Sequence, residues 1–412
     1  MSRRIFYGWY VAIACGIGLG CGLASIVTST FPIFLAPLHA EFGWTRPQMF
    51  GALALTTLTV TIAVPFFGRL VDRIGARRVI LVGLVLEALV IASFARQTAT
   101  LLSFYVRYIA LALLALGTTH VAFMRVISMW FDRRRGMALG ITLAGLGVGS
   151  MVWPPLAQWI IDTHGWREAY LVLAGTIAVV GFIAVAAIVR DSPQSMGLAV
   201  DGIAAAMVAG APEKKVLAGL EVREALRAPV FRRMLMAFIL IGVSISSVQV
   251  HLVPLLTGRG VSPMLAATAM SVLAGALVIG RLAAGWLMDR IFAPRVALAF
   301  LLGPIIAIVL LAAGASGSLA FLAAILTGLA VGAEVDVTAL LAGRYFGLRN
   351  FSGIYAFFYG AYALGAAFGP LLTAIAVDKS GGYSMVLVIH AGLLVMGALL
   401  LARLPPFPRW PE

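Results

Sequence analysis

The chain has 412 residues, 62% of them hydrophobic and 11% charged, with a net charge of +14 and a mean hydropathy of +1.04. Apolar surface on that scale cannot be hidden in a soluble core, so a soluble enzyme or regulator is excluded and a polytopic membrane protein is indicated. The basic excess does not mark a nucleic-acid partner, because it falls mainly in short loops on one side of the apolar runs.

Twelve apolar runs follow in order, at residues 8–32, 48–71, 79–96, 101–129, 136–161, 167–189, 231–256, 263–288, 295–315, 318–343, 351–377 and 383–403. Crossing about 30 Å of hydrocarbon takes roughly 20 helical residues. Lipid leaves continuous runs of this kind no option but helix. The expected fold class is an all-α membrane protein of 12 transmembrane helices. The opening MSRRIFYGWY is basic, but the apolar run behind it outlasts a signal-peptide core, so it is read as the entry to helix 1. Arg73, Arg77 and Arg78 follow helix 2, Arg133 to Arg135 follow helix 4, and Arg290, Arg295 and Arg349 lie in later loops of the same parity. The alternate loops are poor in basic residues, which puts both termini in the cytoplasm. The expected location is a bacterial inner membrane.

The longest loop separates helices 6 and 7. Its middle is small and partly polar, and its end, EVREALRAPVFRR, reads as a short surface helix stopped by Pro229. Expected domains are a six-helix bundle over 1–190, a cytoplasmic linker over 191–230 and a second bundle over 231–412. The halves repeat. A shift of 215 pairs Gly117 with Gly332, Arg134 with Arg349 and Gly145 with Gly360, and a shift of 217 pairs GRLVDRIGARRV with GWLMDRIFAPRV. Parallel repeats of this kind place a pseudo-twofold site near the midplane. Val64 stands opposite Arg281 in the repeat, so the charge at 281 belongs to a task of one half.

Six plus six helices with GRLVDRIGARR after helix 2 resemble the major facilitator superfamily and its loop motif. The resemblance gives Gly68, Asp72, Arg73, Arg125 and Asp289 gating or structural roles, with Arg125 pairing with Asp72. Within the superfamily, YGWYV entering helix 1 and WFDRRRGMALGITLAGLGVG entering helix 5 are similar to the monocarboxylate transporter family and its bacterial relatives, which include oxalate/formate antiporters. The spacing of Arg281 and Gly285 matches that family's helix 8 arginine, which binds the substrate carboxylate. Two positions depart from the animal members. Leu277 replaces an Asp one turn before the arginine, and Ile33 replaces a Lys after Phe31–Pro32. Both are tied to proton coupling in those relatives.

Arg281 lies eight residues before Asp289, about 12 Å along the helix. A central arginine costs about 2.5–3.5 kcal/mol on insertion scales and needs an anion or water. Helix 10 offers Glu334 and Asp336 in GAEVDV, with Asp336 eight residues before Arg344 and so at matching depth. Residues two apart point about 200° apart on a helix, so one acid of the pair faces Arg281 and the sequence leaves open which. A substrate carboxylate on the Arg281 fork, with Glu334 or Asp336 carrying a proton, competes with a static ion pair. His251, ending the polar face SISSVQVH, is a substrate donor or a hydrogen-bonded structural histidine. His120 and Thr28 are further substrate candidates. Tyr355, Tyr359 and Tyr362, with Phe358, form an aromatic wall or pack. Glu87 is assigned to packing, because in the superfamily helix 3 lies outside the cavity, and His390 to the periphery.

Cys15 and Cys21 sit on one expected helix, and neither they nor the five histidines have metal-ligand spacing, so no metal or cofactor is expected. No Walker motif is present, so a gradient is the expected energy source. The expected function is a secondary transporter of small monocarboxylates, lactate- or pyruvate-like, by alternating access and proton symport. The rivals are an organic anion exchanger, a multidrug effluxer of the same fold and a non-transporting sensor. The expected partners are a small organic anion, protons and the bilayer, with the chain acting as a monomer.

Overall fold

A computed structural model describes residues 6–131, 134–202, 219–288, 290, 291, 293–347 and 349–408. Sixteen α-helices and short connecting turns account for the described chain, and the one β-bridge joins Gly219 to Gly347. Eleven runs among the described residues are long and apolar enough to cross a membrane. α4 (Ala76–Phe94), which carries Arg77, Arg78 and Glu87, lies between the second and third of them, so the architecture is consistent with twelve crossings.

Contacts divide the chain into two units: Met1–Trp44 with Leu58–Ala211, and Thr45–Thr57 with Pro212–Glu412. The first thirteen residues of this second grouping belong to α3 (Arg46–Ile74) and the residue before it, so that one helix contributes to both units.

In the first unit, the first crossing consists of α1 (Tyr7–Gly20) and α2 (Leu23–Phe42), broken at Cys21–Gly22 and longer than the expected 8–32. The run continues because Pro32 and Pro37 are accommodated inside α2, as prolines are where neighbouring helices re-satisfy the backbone. Gly22 is extended, and a Cβ there would stand 2.6 Å from the Thr118 carbonyl oxygen. The freed groups find side chains. Leu23 N–H donates to Thr118 Oγ1 at 3.1 Å, and Trp153 Nε1 donates to the Gly20 carbonyl at 2.6 Å. Cys15 lies inside α1 and Cys21 caps its C-terminal end, its N–H donating to the Ile17 carbonyl at 3.0 Å. The fourth crossing is likewise interrupted, α5 (Leu101–Leu114) and α6 (His120–Trp130) being joined by a 3₁₀ turn at Ala115–Thr118. The sixth joins α8 (Trp166–Thr176) to α9 (Phe182–Ile188) through a π-helical turn at Ile177–Gly181.

α1 packs on α7 (Arg135–His164) through bare backbone: a Cβ on Gly145 would lie 2.1 Å from the Gly16 carbonyl oxygen, and one on Gly149 2.2 Å from that of Gly20. Lipid tails are as apolar as leucine, so close packing of small residues does here what apolar burial does in water. Gly145→Leu is expected to cost at least about 3 kcal/mol, since backbone cannot yield as a side chain can. Gly140→Leu, on the same helix with nothing within 4 Å of a Cβ, is the neutral control. Thermal unfolding of the purified proteins makes the comparison.

The second unit opens with α10 (Val222–Arg227), capped reciprocally by Glu221 and Glu224, and Pro229 takes the first position of α11 (Pro229–Thr257). α12 (Pro263–Met288), α13 (Ala293–Ala312), α14 (Gly317–Phe346), α15 (Phe351–Ser380) and α16 (Tyr383–Ala402) complete it. α11 and α15 meet as α1 and α7 do, with a Cβ on Gly365 or Gly369 falling 2.5 Å from the Ile239 or Val243 carbonyl oxygen.

Candidate substrate and coupling site

α12 and α14 touch backbone to backbone at the level of Arg281. A Cβ on Gly332 would stand 2.0 Å from the Leu277 carbonyl oxygen and 2.7 Å from the Arg281 nitrogen, so only glycine fits. The sequence then places Glu334 two residues beyond that contact. Arg281 and Glu334 are both half-buried. The Glu334 carboxyl interacts with Tyr359 and Tyr362 of α15, and Tyr362 also meets Ser246 of α11. On its other side Glu334 lines an otherwise apolar cavity with Phe238, Ile241, Ile245 and Val337. Three helices, α11, α14 and α15, thus meet at one carboxyl, which lies two residues and about 200° around α14 from the Gly332 seam with α12. The Asp336 side chain lies outside the described residues.

Tyr355 and Tyr359 share a face with Phe351. Ring centroids are 5.7 Å apart for Phe351–Tyr355 and 6.1 Å for Tyr355–Tyr359, each pair stacked, and Tyr359 is 41% exposed. Phe358 does not join this wall. It points the other way, fully buried against Phe231, Phe238 and Phe346, because one residue turns about 100° on a helix.

His251 is 2% exposed and held on both edges. Its Nε2–H donates to the Pro370 carbonyl at 2.9 Å, so Nδ1 accepts the Tyr383 hydroxyl, also at 2.9 Å. Arg46 Nη1 donates to the same hydroxyl oxygen at 3.5 Å, and the Phe50 ring stacks on the imidazole at 4.2 Å. Neither nitrogen is left to face a ligand in this arrangement. His251→Phe is expected to destabilise the protein by about 1–3 kcal/mol by orphaning two buried groups, and Tyr383→Phe by about 1 kcal/mol. Melting curves of the two variants check the order.

The remaining candidates fall elsewhere. Thr28 is half-buried on α2 and His120 opens α6, both in the first unit. Arg73 and Arg125 are exposed, on α3 and α6. Gly68 falls on α3, while the Asp72 side chain and all of Asp289 lie outside the described residues, and with Asp72 the expected Arg125 pairing. His390 is not peripheral: it is 5% exposed, with Nε2 2.7 Å from Thr373 Oγ1. The Ser246–Tyr362–Glu334 grouping has one trace in the sequence, the polar run SISSVQVH.

Residues 17–334 match the family model of the Major Facilitator Superfamily, and the chain belongs to that superfamily. It is a transporter and not an enzyme, a multi-pass membrane protein with a small-molecule substrate. Monocarboxylate transporter 13 of Bos taurus is 27% identical over 97% of this chain and 90% of its own length. Monocarboxylate transporter 11 of Mus musculus is 29% identical over 97% and 88%. Among solved structures the nucleoside transporter NupG (D323A mutant) shares the fold with a TM-score of 0.74 at 12% identity, covering 96% of this chain and 99% of that one. A bacterial homologue of the human lysosomal transporter Spinster, inward-facing and occupied, gives 0.67 at 14%, covering 95% of each.

Proposed function

We propose that this secondary transporter carries small monocarboxylates, lactate- or pyruvate-like, by alternating access of its two six-helix halves, in symport with protons. The observation that carries the reading is the contact of α12 with α14 at Gly332, which sets a guanidinium and a carboxyl on touching helices. Arg281 receives the substrate carboxylate through its planar fork. Glu334 takes the proton, and Tyr359 and Tyr362 hold its carboxyl. Glu334 is preferred to Asp336 because those tyrosines gather on it. The exposed faces of Tyr355 and Tyr359 line the substrate path. Thr28 and His120 are donors offered by the first unit, and His251 positions α11 and α16 without touching substrate. The relatives named monocarboxylate transporters support the substrate class.

Organic anion exchange is the second reading, favoured by Leu277 and Ile33 standing where the animal relatives carry their coupling acid and lysine. Uptake of labelled lactate, pyruvate, formate and oxalate into proteoliposomes, with and without an imposed pH gradient, separates the two. Gradient-driven accumulation supports symport. Uptake only against a preloaded anion supports exchange. Indifference to all four acids overturns both and favours an effluxer.

A further inference from the structure

Glu87 sits in the middle of α4, and the whole residue is 0% exposed. Neither of its carboxyl oxygens has a hydrogen-bond partner among the described residues. Thr118 is its polar neighbour, but the Thr118 hydroxyl gives its proton to the Ala115 carbonyl at 2.8 Å and accepts from Leu23 N–H. The Cys21 thiol is the ionisable group beside it. Of the other elements packed on α4, the 3₁₀ turn contributes Gly117, whose Cα would lie 2.8 Å from a Cβ on Gly83, and the π-turn contributes Gly181. α5 and α8 bring Tyr108 and Tyr170, which belong to the aromatic cluster around Phe94, seven residues further along α4. Arg77 and Arg78 stand at the far end of α4, where the Arg77 guanidinium is held by the Ala186 carbonyl of α9. α6 brings His120 and Arg125, half-buried and exposed.

Three of the crossings around this carboxyl are interrupted: at Cys21–Gly22, at Ala115–Thr118 and at Ile177–Gly181. They meet one another there. A Cβ on Gly22 would strike the Thr118 carbonyl, and one on Gly181 would lie 3.0 Å from Cys21 Cβ and 3.3 Å from Leu84 Cδ2. A carboxylate enclosed without donor or countercharge costs several kcal/mol, so the group must carry a proton while the site is closed. The site is packed too tightly by glycine against backbone to admit a hydrated cation. Turns of this irregular kind are also where helices bend.

We propose that Glu87 is a proton-binding site of the first unit, separate from Glu334, neutral while the three interrupted helices close around it and ionised when they part. The proton comes from bulk water and returns to it. The inference rests on the first unit alone and not on the monocarboxylate reading.

The test is thermal unfolding of the purified full chain and of its Glu87→Gln and Glu87→Leu variants between pH 5 and pH 8. A glutamate in the unfolded chain ionises near pH 4.3, so over this range the native parent binds more protons than its unfolded form and loses stability as pH rises. The variants lack that slope. Their melting temperature should gain on the parent's by about 2–4 °C over the range. A gap that stays constant with pH overturns the proposal. So does failure of both variants to fold, because a neutral isostere that cannot replace the acid means the native group is charged. Neither readout depends on which substrate is carried.

Discussion

Arg281→Lys is expected to lower the rate of carboxylate uptake at subsaturating substrate by about 10- to 100-fold while the protein still folds. The lysine keeps the charge but loses the planar pair of donors. A hydrogen bond to a charged group contributes about 1.5–3 kcal/mol, and each 1.4 kcal/mol is tenfold. The backbone contact of α12 at Leu277 and Arg281 with Gly332 does not involve the side chain, so the packing survives the change. Initial-rate uptake in proteoliposomes, paired with a melting curve, measures both halves of the expectation. Unchanged uptake would remove Arg281 from the substrate site and favour an effluxer that uses the residue only for packing.

Glu334→Gln is expected to abolish accumulation driven by a pH gradient while leaving exchange of substrate across the membrane intact. The carboxamide fills the same volume and its oxygen can still accept from Tyr362, so the junction of α11, α14 and α15 is retained. It cannot gain or lose a proton. Counterflow of labelled substrate into preloaded vesicles reports exchange, and uptake under an inward proton gradient reports coupling. Loss of both would make Glu334 a structural group, and retention of both would pass the coupling role to Asp336.

The crossings were legible because the bilayer fixes their length and lipid forbids an unsatisfied backbone. Glycine spacing also carried information: of the four glycines paired by the internal repeat, Gly117, Gly145 and Gly332 are positions where a Cβ would strike a neighbouring backbone, and Gly360 meets nothing within 4 Å. Interruptions within a crossing left no comparable trace. The run GIGLGCGLAS stays apolar through the break at Cys21–Gly22, and the partner that repairs it, Thr118, is almost a hundred residues away. His251 was open for the same reason: its fate is decided by Tyr383, 132 residues on, and no local pattern announces that partner. Phe358 resembles its neighbours by type, but one step along the helix turns it about 100° from Tyr359 and into the core. The position of its helix assigns Glu87 to packing, and the three interrupted helices around it leave no mark in the sequence near it.

The seams where α1 meets α7 and α11 meets α15 bring carbonyl oxygens within reach of glycine Cα atoms, with no side chain interposed. Their fit is indifferent to what the transporter carries. On the proposed site, cargo preference would change through Tyr355, Tyr359 and Arg281, none of which belongs to these seams. The lining, and not the seams, is then the place to rewrite selectivity by design.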